Sequence, residues 1–157
     1  MFSHLHLSAC AFNLLVEQIF DNAVFGVVLV SNDCVFLWVN NAFASMLGYT
    51  REELLGKSIE QITHPDDINL SRDFIQNLDA QPPSLQRPLT VEKRYCTKFN
   101  KTVWCRLTAT VLSFPEGTDN PYNLRYMTQV ENVTELVTLR KMLARFHNDV
   151  ATVQHNV

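Results

Sequence analysis

The hydrophobic pattern at the start of the chain is that of an amphipathic helix. Apolar residues at positions 12, 15, 16, 19 and 20 recur at intervals of three and four, which is the spacing of one face of an α-helix. Two short apolar runs follow over 27–30 and 35–39, separated by the turn residues 31–33. Runs of this length bounded by polar turn residues predict a pair of short buried strands.

Short helical segments occupy the next forty residues. Asparagines at 40 and 41 predict the start of a helix to Leu47, and Gly48 predicts its end, as glycine commonly caps the C-terminus of a helix. Thr50 with Glu53 has the spacing of a capping box. After Pro65, the tandem aspartates 66 and 67 predict the start of a longer helix to about residue 78. We expect both carboxylates to favour the positive end of that helix dipole rather than to act as a catalytic pair.

Beyond residue 88 the pattern changes to a period of two, which is typical of strands. Three strands are predicted over 89–97, 101–114 and 122–131. In the middle strand Val103, Cys105 and Leu107 share one face, and Trp104 and Arg106 share the other. Two strands, several small helices and three further strands predict an α+β fold, an antiparallel sheet with helices grouped on one side.

The C-terminal tail has the most regular spacing in the chain. Its apolar residues step by three and four in a heptad pattern that predicts a two-stranded parallel coiled coil, in which Glu135 lies opposite Arg140 of the partner. The alternative is an amphipathic helix that folds back on the domain. The residues of this heptad seam are Leu136, Leu139, Leu143, Phe146, Val150, Val153 and Val157.

Composition narrows the class of protein. The chain has 157 residues, 18.0 kDa, 46% hydrophobic and 18% charged residues, which indicates one globular domain. A net charge of −3 argues against nucleic-acid binding, and no apolar run is long enough for membrane insertion. The four cysteines are too scattered for a disulfide framework or a zinc site, which favours reduced thiols and a cytoplasmic protein.

Three separated segments carry a resemblance to a known family. The strings NNAFASMLGYTREELLGKSIEQITHPDD, VEKRYCTKFNKTVWCRLTATV and ENVTEL resemble the helical half, the three-stranded half and the terminal linker motif of a PAS sensory domain. The resemblance covers about residues 14–136. It implies a five-stranded antiparallel sheet whose short helices enclose a pocket on one face. The corresponding organisation is an N-terminal flanking helix in 1–23, the PAS domain in 24–132 and a C-terminal linker and signalling helix in 133–157.

Two positions depart from the family pattern. The linker motif has Asn132 where the family has a carboxylate that forms an ion pair, so this chain lacks the charge of that pair. An amide still caps the following helix, and the resemblance assigns signal relay to Asn132 and Thr134. At the hairpin, Asn100 stands where the family has glycine, and asparagine tolerates a positive φ.

The resemblance also bears on cofactors. Flavin-binding light sensors of the family need a cysteine and a glutamine where this chain has Ile59 and Val130. Haem-binding members supply a histidine from the long helix, and residues 66–78 contain none. His64 precedes that helix, where we expect a surface or capping residue. No metal site, phosphate-binding loop or nucleophile motif is found, so we expect no catalytic residues, no metal and neither haem nor flavin.

By the strand alternation and the resemblance, the predicted pocket is almost wholly apolar, with one thiol. It is either a filled core or a cavity for a small hydrophobic ligand. Trp104 lies on the outer sheet face and is expected to pack on the N-terminal helix or at a dimer interface. The predicted pocket-lining residues are Phe43, Leu47, Ile59, Ile62, Leu70, Phe74, Val103, Cys105, Leu107 and Val130.

The function that this resemblance implies is sensory. We expect a non-enzymatic module of a bacterial signal-transduction protein, which senses a small ligand or partner and forms a homodimer. Its C-terminal helix then relays the signal to an effector: a histidine kinase, a diguanylate cyclase or phosphodiesterase, or a transcription regulator. The alternatives are a ligand-free dimerisation and docking scaffold and a haem or flavin redox sensor.

Overall fold

The computed structural model describes residues 8–155, with side chains for residue 8 and residues 10–148. Of the heptad seam, the side chains of Val150 and Val153, and all of Val157, lie outside the described residues. The helices are α1 (Ala9–Asp21), α2 (Asn41–Leu47), α3 (Arg51–Leu54), α4 (Ile59–Ile62), α5 (Ile68–Asp79) and α6 (Thr134–His155), with 3-10 turns at Pro65–Asp67 and Pro83–Leu85. The strands are β1 (Gly26–Ser31), β2 (Phe36–Val39), β3 (Leu89–Cys96), β4 (Thr102–Val111) and β5 (Leu124–Asn132).

The five strands form one antiparallel sheet in the order β2-β1-β5-β4-β3. Val28 pairs with Thr128 across β1 and β5, and Cys105 pairs with Lys93 across β4 and β3. The sheet confirms the predicted α+β class, and each predicted strand differs from the observed one by a few residues at its ends.

The core lies between one face of the sheet and the short helices α2 to α5. Phe36, Phe43 and Tyr95 are fully buried there, and their rings contact one another at tilted and edge-on angles. The backbone of Gly26 passes directly beneath the Phe43 side chain, where a Cβ atom would approach Phe43 Cβ to 3.0 Å. This close approach sets the separation between β1 and α2.

A buried asparagine links the first three elements. The Asn40 side-chain oxygen accepts hydrogen bonds from the backbone N–H groups of Val27 (2.9 Å) and Phe43 (3.0 Å), so it caps α2 as predicted. Its amide nitrogen donates to the carbonyls of Phe20 (2.8 Å) and Phe25 (3.0 Å). All of its hydrogen-bonding capacity is therefore used within the fold.

Several sequence predictions about local geometry are confirmed. Thr50 and Glu53 form the reciprocal hydrogen bonds of a capping box at the start of α3. Asn100 adopts a φ of 57° at the β3–β4 turn, and Gly48 ends α2 with a φ of 74°. Positive φ at these positions is the conformation that asparagine and glycine tolerate best.

Asp66 and Asp67 stand at the start of α5 as predicted, and Asp67 has a partner that the sequence did not predict. Pro65–Asp67 is a 3-10 turn, α5 begins only at Ile68, and the Asp67 side chain makes no capping hydrogen bond. Its carboxylate accepts instead from the backbone N–H and the guanidinium of Arg94 on β3. A carboxylate at the start of a helix thus also forms a charge-assisted ion pair with a strand on the sheet.

The outer face of the sheet carries a helix at each end. Helix α1 lies on the β1–β2 half, where Phe20 contacts Trp38 edge-on. Helix α6 begins beside β4, with Val133 and Val137 buried at its first turn. Of the two alternatives predicted for Trp104, packing on the N-terminal helix is wrong, because α1 lies on the other half of the sheet; a place at a dimer interface stays a prediction.

Candidate functional site

A cavity of about 30 Å³ lies between the inner face of the sheet and helices α4 and α5. This is two to three times the least volume that one water molecule requires. Strands β1, β3, β4 and β5 form its floor, and one face of α5 forms its roof. Its lining residues are Val28, Val30, Phe36, Ile59, Ser71, Phe74, Ile75, Leu78, Lys93, Tyr95, Leu107, Ala109, Tyr126 and Thr128.

The structure brings together only some of the predicted pocket residues. Ile59, Phe74 and Leu107 line the cavity. Five others are buried in the surrounding core without lining it, and Val103 is half-buried against that core. The five core residues are Phe43, Leu47, Ile62, Cys105 and Val130.

The placement of Leu70 in the pocket is wrong, since its side chain is 41% exposed. Helix α5 presents Ser71, Phe74, Ile75 and Leu78 to the cavity, a stripe at i, i+3, i+4 and i+7. Leu70 is one residue away from that stripe and is rotated towards solvent.

The prediction of an almost wholly apolar lining is also wrong, because Lys93 points inward from β3. Its side chain is 2% exposed. The ammonium nitrogen donates to Ser71 Oγ (2.6 Å) and Thr63 Oγ1 (3.3 Å) and lies 4.8 Å from the centre of the Tyr95 ring. The cavity therefore has a cationic end and an apolar body.

Burial changes the acidity of the groups around the cavity. Desolvation lowers the pKa of Lys93 from 10.5 to about 8, because a charged amine is disfavoured away from water. Desolvation raises the pKa of the Cys105 thiol to about 12, and it raises the pKa of Tyr95 well above its usual value. At neutral pH Lys93 is thus mostly charged, while the neighbouring thiol and phenol are uncharged.

The sequence contained a signal for Lys93. Leu89, Val91, Lys93 and Tyr95 alternate along β3 in the inward register, opposite Glu92 and Arg94. The same period-two alternation that identifies the inner face of β4 places Lys93 on the inner face of β3. Ser71 similarly occupies a cavity-facing position of the α5 stripe.

An open groove adjoins the cavity. The groove has a volume of about 460 Å³ and shares Ile59, Ser71 and Ile75 with the cavity lining. At its mouth, Arg72 of α5 donates two hydrogen bonds to the carboxylate of Glu60 on α4, at 2.6 and 3.0 Å. This ion pair joins the two helices that flank the entrance.

On the outer face, the residues next to Lys93 contact helix α6. Arg94 and Lys141 both place their charges near the Trp104 ring, at 5.3 and 5.2 Å from its centre. The Glu92 carboxylate accepts hydrogen bonds from Arg106 (2.8 Å) and from Arg140 of α6 (3.0 Å). Arg140 therefore forms an ion pair within its own chain, where the sequence predicted a pair with Glu135 of a partner.

The predicted relay residues lie at the start of α6. Asn132 Oδ1 accepts a hydrogen bond from the Thr134 N–H (3.0 Å), and Thr134 Oγ1 accepts one from the Trp104 N–H (3.0 Å). The Val133 N–H donates to the Trp104 carbonyl (2.8 Å). The amide at 132 thus still caps the helix, and these bonds attach its first turn to β4.

Farther along α6 the heptad seam points away from the sheet. The side chains of Leu136, Leu139, Leu143 and Phe146 are between 39% and 68% exposed. Within residues 8–148 the helix therefore does not fold back to bury this stripe.

Two features are absent from the described residues. Among them, no group of three or more His, Cys, Asp or Glu side chains is arranged to hold a metal ion. No helix in this part of the chain is long and apolar enough to cross a membrane.

Comparison with known proteins gives a family match. A family model described as PAS domain matches residues 24–135. The probable diguanylate cyclase DgcE of Escherichia coli (strain K12) is 30% identical over 124 residues, or 76% of this chain. The sensor histidine kinase TmoS of Ectopseudomonas mendocina is 24% identical over 140 residues, or 89% of this chain.

A solved structure supports the fold assignment. The crystal structure of a PAS domain from a two-component sensor histidine kinase superposes with a TM-score of 0.62 at 20% identity. The match covers 80% of this chain and 99% of that one. In contrast, the chain spans only 11% and 14% of the length of DgcE and TmoS.

Proposed function

The chain belongs to the PAS domain family, and from this premise we propose that it is a sensory module of a bacterial signal-transduction protein. In this proposal two copies pair through α6, and the paired helices pass the state of the cavity to an effector. The PAS domain is itself a sensory unit and not a catalytic one. The similarity to parts of a diguanylate cyclase and a sensor histidine kinase favours an effector of one of these two classes.

The observation that carries this proposal is the exposed heptad seam of α6. Leu139, Leu143 and Phe146 are each more than half exposed on a helix that extends from the sheet. A stripe of large apolar side chains with a 3.5-residue spacing is stable in water when a second helix covers it. A parallel copy of α6 presents the same stripe, which makes the pairing self-complementary.

The contacts of β3 support a relay between cavity and helix. Lys93 faces the cavity, whereas its neighbours Glu92 and Arg94 face outward. Glu92 forms an ion pair with Arg140 of α6. Arg94 and Lys141 of α6 both contact the ring of Trp104. A ligand that displaces β3 therefore moves two anchors of α6 at once. We propose that Asn132 and Thr134 form the pivot of this movement, so the signal is a shift between two arrangements of the helix pair.

The cavity and the cysteines support two further parts of the proposal. A cavity of about 30 Å³ favours a small ligand over haem or flavin, because drug-sized ligands occupy pockets of about 300–1,000 Å³. All four cysteines are unpaired, which supports placing the module in the reducing cytoplasm.

Sedimentation equilibrium of the whole chain tests the pairing. We expect the wild-type chain to sediment at twice its 18.0 kDa, and Leu143→Glu, which puts a charge in the seam, to sediment as a monomer. Ala144→Glu is the matched control, because residue 144 is also exposed on α6 but lies next to the seam. A monomeric wild type, or a Leu143→Glu variant that dimerises as well as Ala144→Glu, would overturn the pairing proposal.

A further inference from the structure

The cationic end of the cavity has no anionic partner within the described residues. Lys93 donates only to the hydroxyls of Ser71 and Thr63, and no described carboxylate lies within salt-bridge distance of its ammonium nitrogen. A charge so deeply buried is normally paired, because hydroxyl groups replace only part of its lost hydration.

Three carboxylates on the elements around the cavity are already neutralised by arginines. Each accepts charge-assisted hydrogen bonds from a guanidinium and is directed towards it. The pairs are Asp67 with Arg94, Glu60 with Arg72, and Asp79 with Arg125. The thiol of Cys105 and the phenol of Tyr95 remain uncharged at neutral pH, so neither supplies a negative charge.

From this arrangement we infer that the cavity binds a small aliphatic monocarboxylate, with its carboxylate on Lys93 and Ser71 and its alkyl part against the apolar wall. The inference rests on the proposed sensory function and names the ligand class of that site. The remaining wall is apolar and includes Val30, Phe74 and Leu107. A neutral polar ligand leaves the charge of Lys93 unpaired, and a dianion places its second charge against the apolar wall.

The hydrogen-bonding capacity at the cationic end fits a carboxylate. The Lys93 ammonium group has three protons, of which two point to Thr63 and Ser71. The third proton has no hydrogen-bond acceptor among the described residues, where the ammonium group otherwise contacts only the Tyr95 ring, and in this inference it binds a ligand oxygen. Ser71 accepts from Lys93, which leaves its own hydroxyl proton for a second ligand oxygen, whereas Thr63 donates to the Ile59 carbonyl (2.8 Å).

The cavity size limits the length of the alkyl part. A volume of about 30 Å³ holds only about two or three atoms of the size of a water molecule. An acetate or propionate ion therefore also extends into the groove that shares Ile59, Ser71 and Ile75 with the cavity lining.

A titration of the whole chain followed by amide NMR shifts tests the inference, with sodium propionate and its neutral isostere propionamide as probes. We expect saturable shifts at the cavity residues and binding of propionate at least tenfold tighter than of propionamide. Sodium nitrate and sodium phosphate at equal ionic strength distinguish a carboxylate site from a site for inorganic oxyanions. Equal affinity for the two isosteres, stronger nitrate binding, or no saturable shift with acetate or propionate would each overturn the inference.

Lys93→Met provides the matched variant, since it keeps the length of the side chain and removes the charge. We expect it to lose propionate binding at least tenfold, while Lys101→Met, which alters an exposed lysine, binds like the wild type. If Lys93→Met fails to fold, the comparison of propionate with propionamide in the wild type decides the question alone. These titrations measure the binding of propionate, whereas the sedimentation test measures the mass of the protein in solution. A result that overturns the ligand inference therefore leaves the test of α6 pairing unaffected.

Discussion

The charge on Lys93 makes a quantitative prediction about stability and pH. The pKa of this amine falls from 10.5 in the unfolded chain to about 8 in the fold. Between these two values the unfolded chain binds more protons than the folded chain, so the free energy of unfolding rises with pH. At 1.36 kcal/mol per pH unit, the difference between the two pKa values corresponds to about 3 kcal/mol in the free energy of unfolding.

Lys93→Met removes this dependence. We expect the free energy of unfolding of the wild type to rise by about 3 kcal/mol more than that of the variant between pH 7 and pH 10.5. At pH 7 the substitution has two opposing effects on the free energy of unfolding. Removing a desolvated charge raises it, and removing the hydrogen bonds to Ser71 and Thr63 lowers it. The change in the free energy of unfolding with pH is therefore the decisive quantity.

Urea unfolding at a series of pH values measures this slope. Groups that do not interact with Lys93 contribute equally to both proteins. The difference between wild type and variant therefore reports Lys93 together with Cys34 and Cys105, the two thiols whose pKa values its charge lowers. Lys101→Met is the control and is expected to follow the wild-type curve, because its lysine is exposed. Parallel curves for wild type and Lys93→Met would refute the argument that the fold buries a charged amine.

Three further substitutions test the fold by urea unfolding and circular dichroism. Gly26→Ala places a Cβ atom 3.0 Å from Phe43 Cβ and is expected to cost about 1–3 kcal/mol; an unchanged stability would contradict the close approach. Asp67→Asn weakens three hydrogen bonds from Arg94 and is expected to cost about 2 kcal/mol at pH 7. Because Arg94 lowers the pKa of Asp67, that loss should vanish as acid protonates the wild-type carboxyl. Asn132→Ala removes the acceptor for the Thr134 N–H and is expected to cost about 1 kcal/mol, and full retention of stability would refute its capping role.

Much of the fold could be predicted because the relevant signals are local. The alternation through Val103, Cys105 and Leu107 identifies the inner face of β4, since a strand with one buried face must alternate. Asn100 and Gly48 mark turns for a similar reason: few residues tolerate a positive φ. These features depend on neighbouring residues only.

The candidate site was harder to predict because it depends on contacts between distant segments. Lys93 lies in the inward register of β3, but a lysine is rarely buried, and only Ser71 and Thr63 from the helical half explain how it is accommodated. The partner of Asp67 is Arg94, 27 residues away. Local propensity gives no information about such a pair.

The neighbours of Trp104, on the outer face of β4, could not be predicted from the sequence either. Trp104 was correctly placed on the outer face of β4, yet its neighbours are Arg94 and Lys141 and not the N-terminal helix. Sequence periodicity assigns a face, whereas the element that covers the face depends on where α1 and α6 leave the sheet.

In the proposed module the state of the cavity alters the pairing of the two α6 helices, and sedimentation equilibrium of the whole chain with and without propionate measures this coupling. Coupling between two sites typically changes an affinity by about 5–150-fold. We predict a change of at least about fivefold in the dimer dissociation constant with propionate, and none with propionamide or in Lys93→Met. A dissociation constant that is the same with and without saturating propionate would contradict the account.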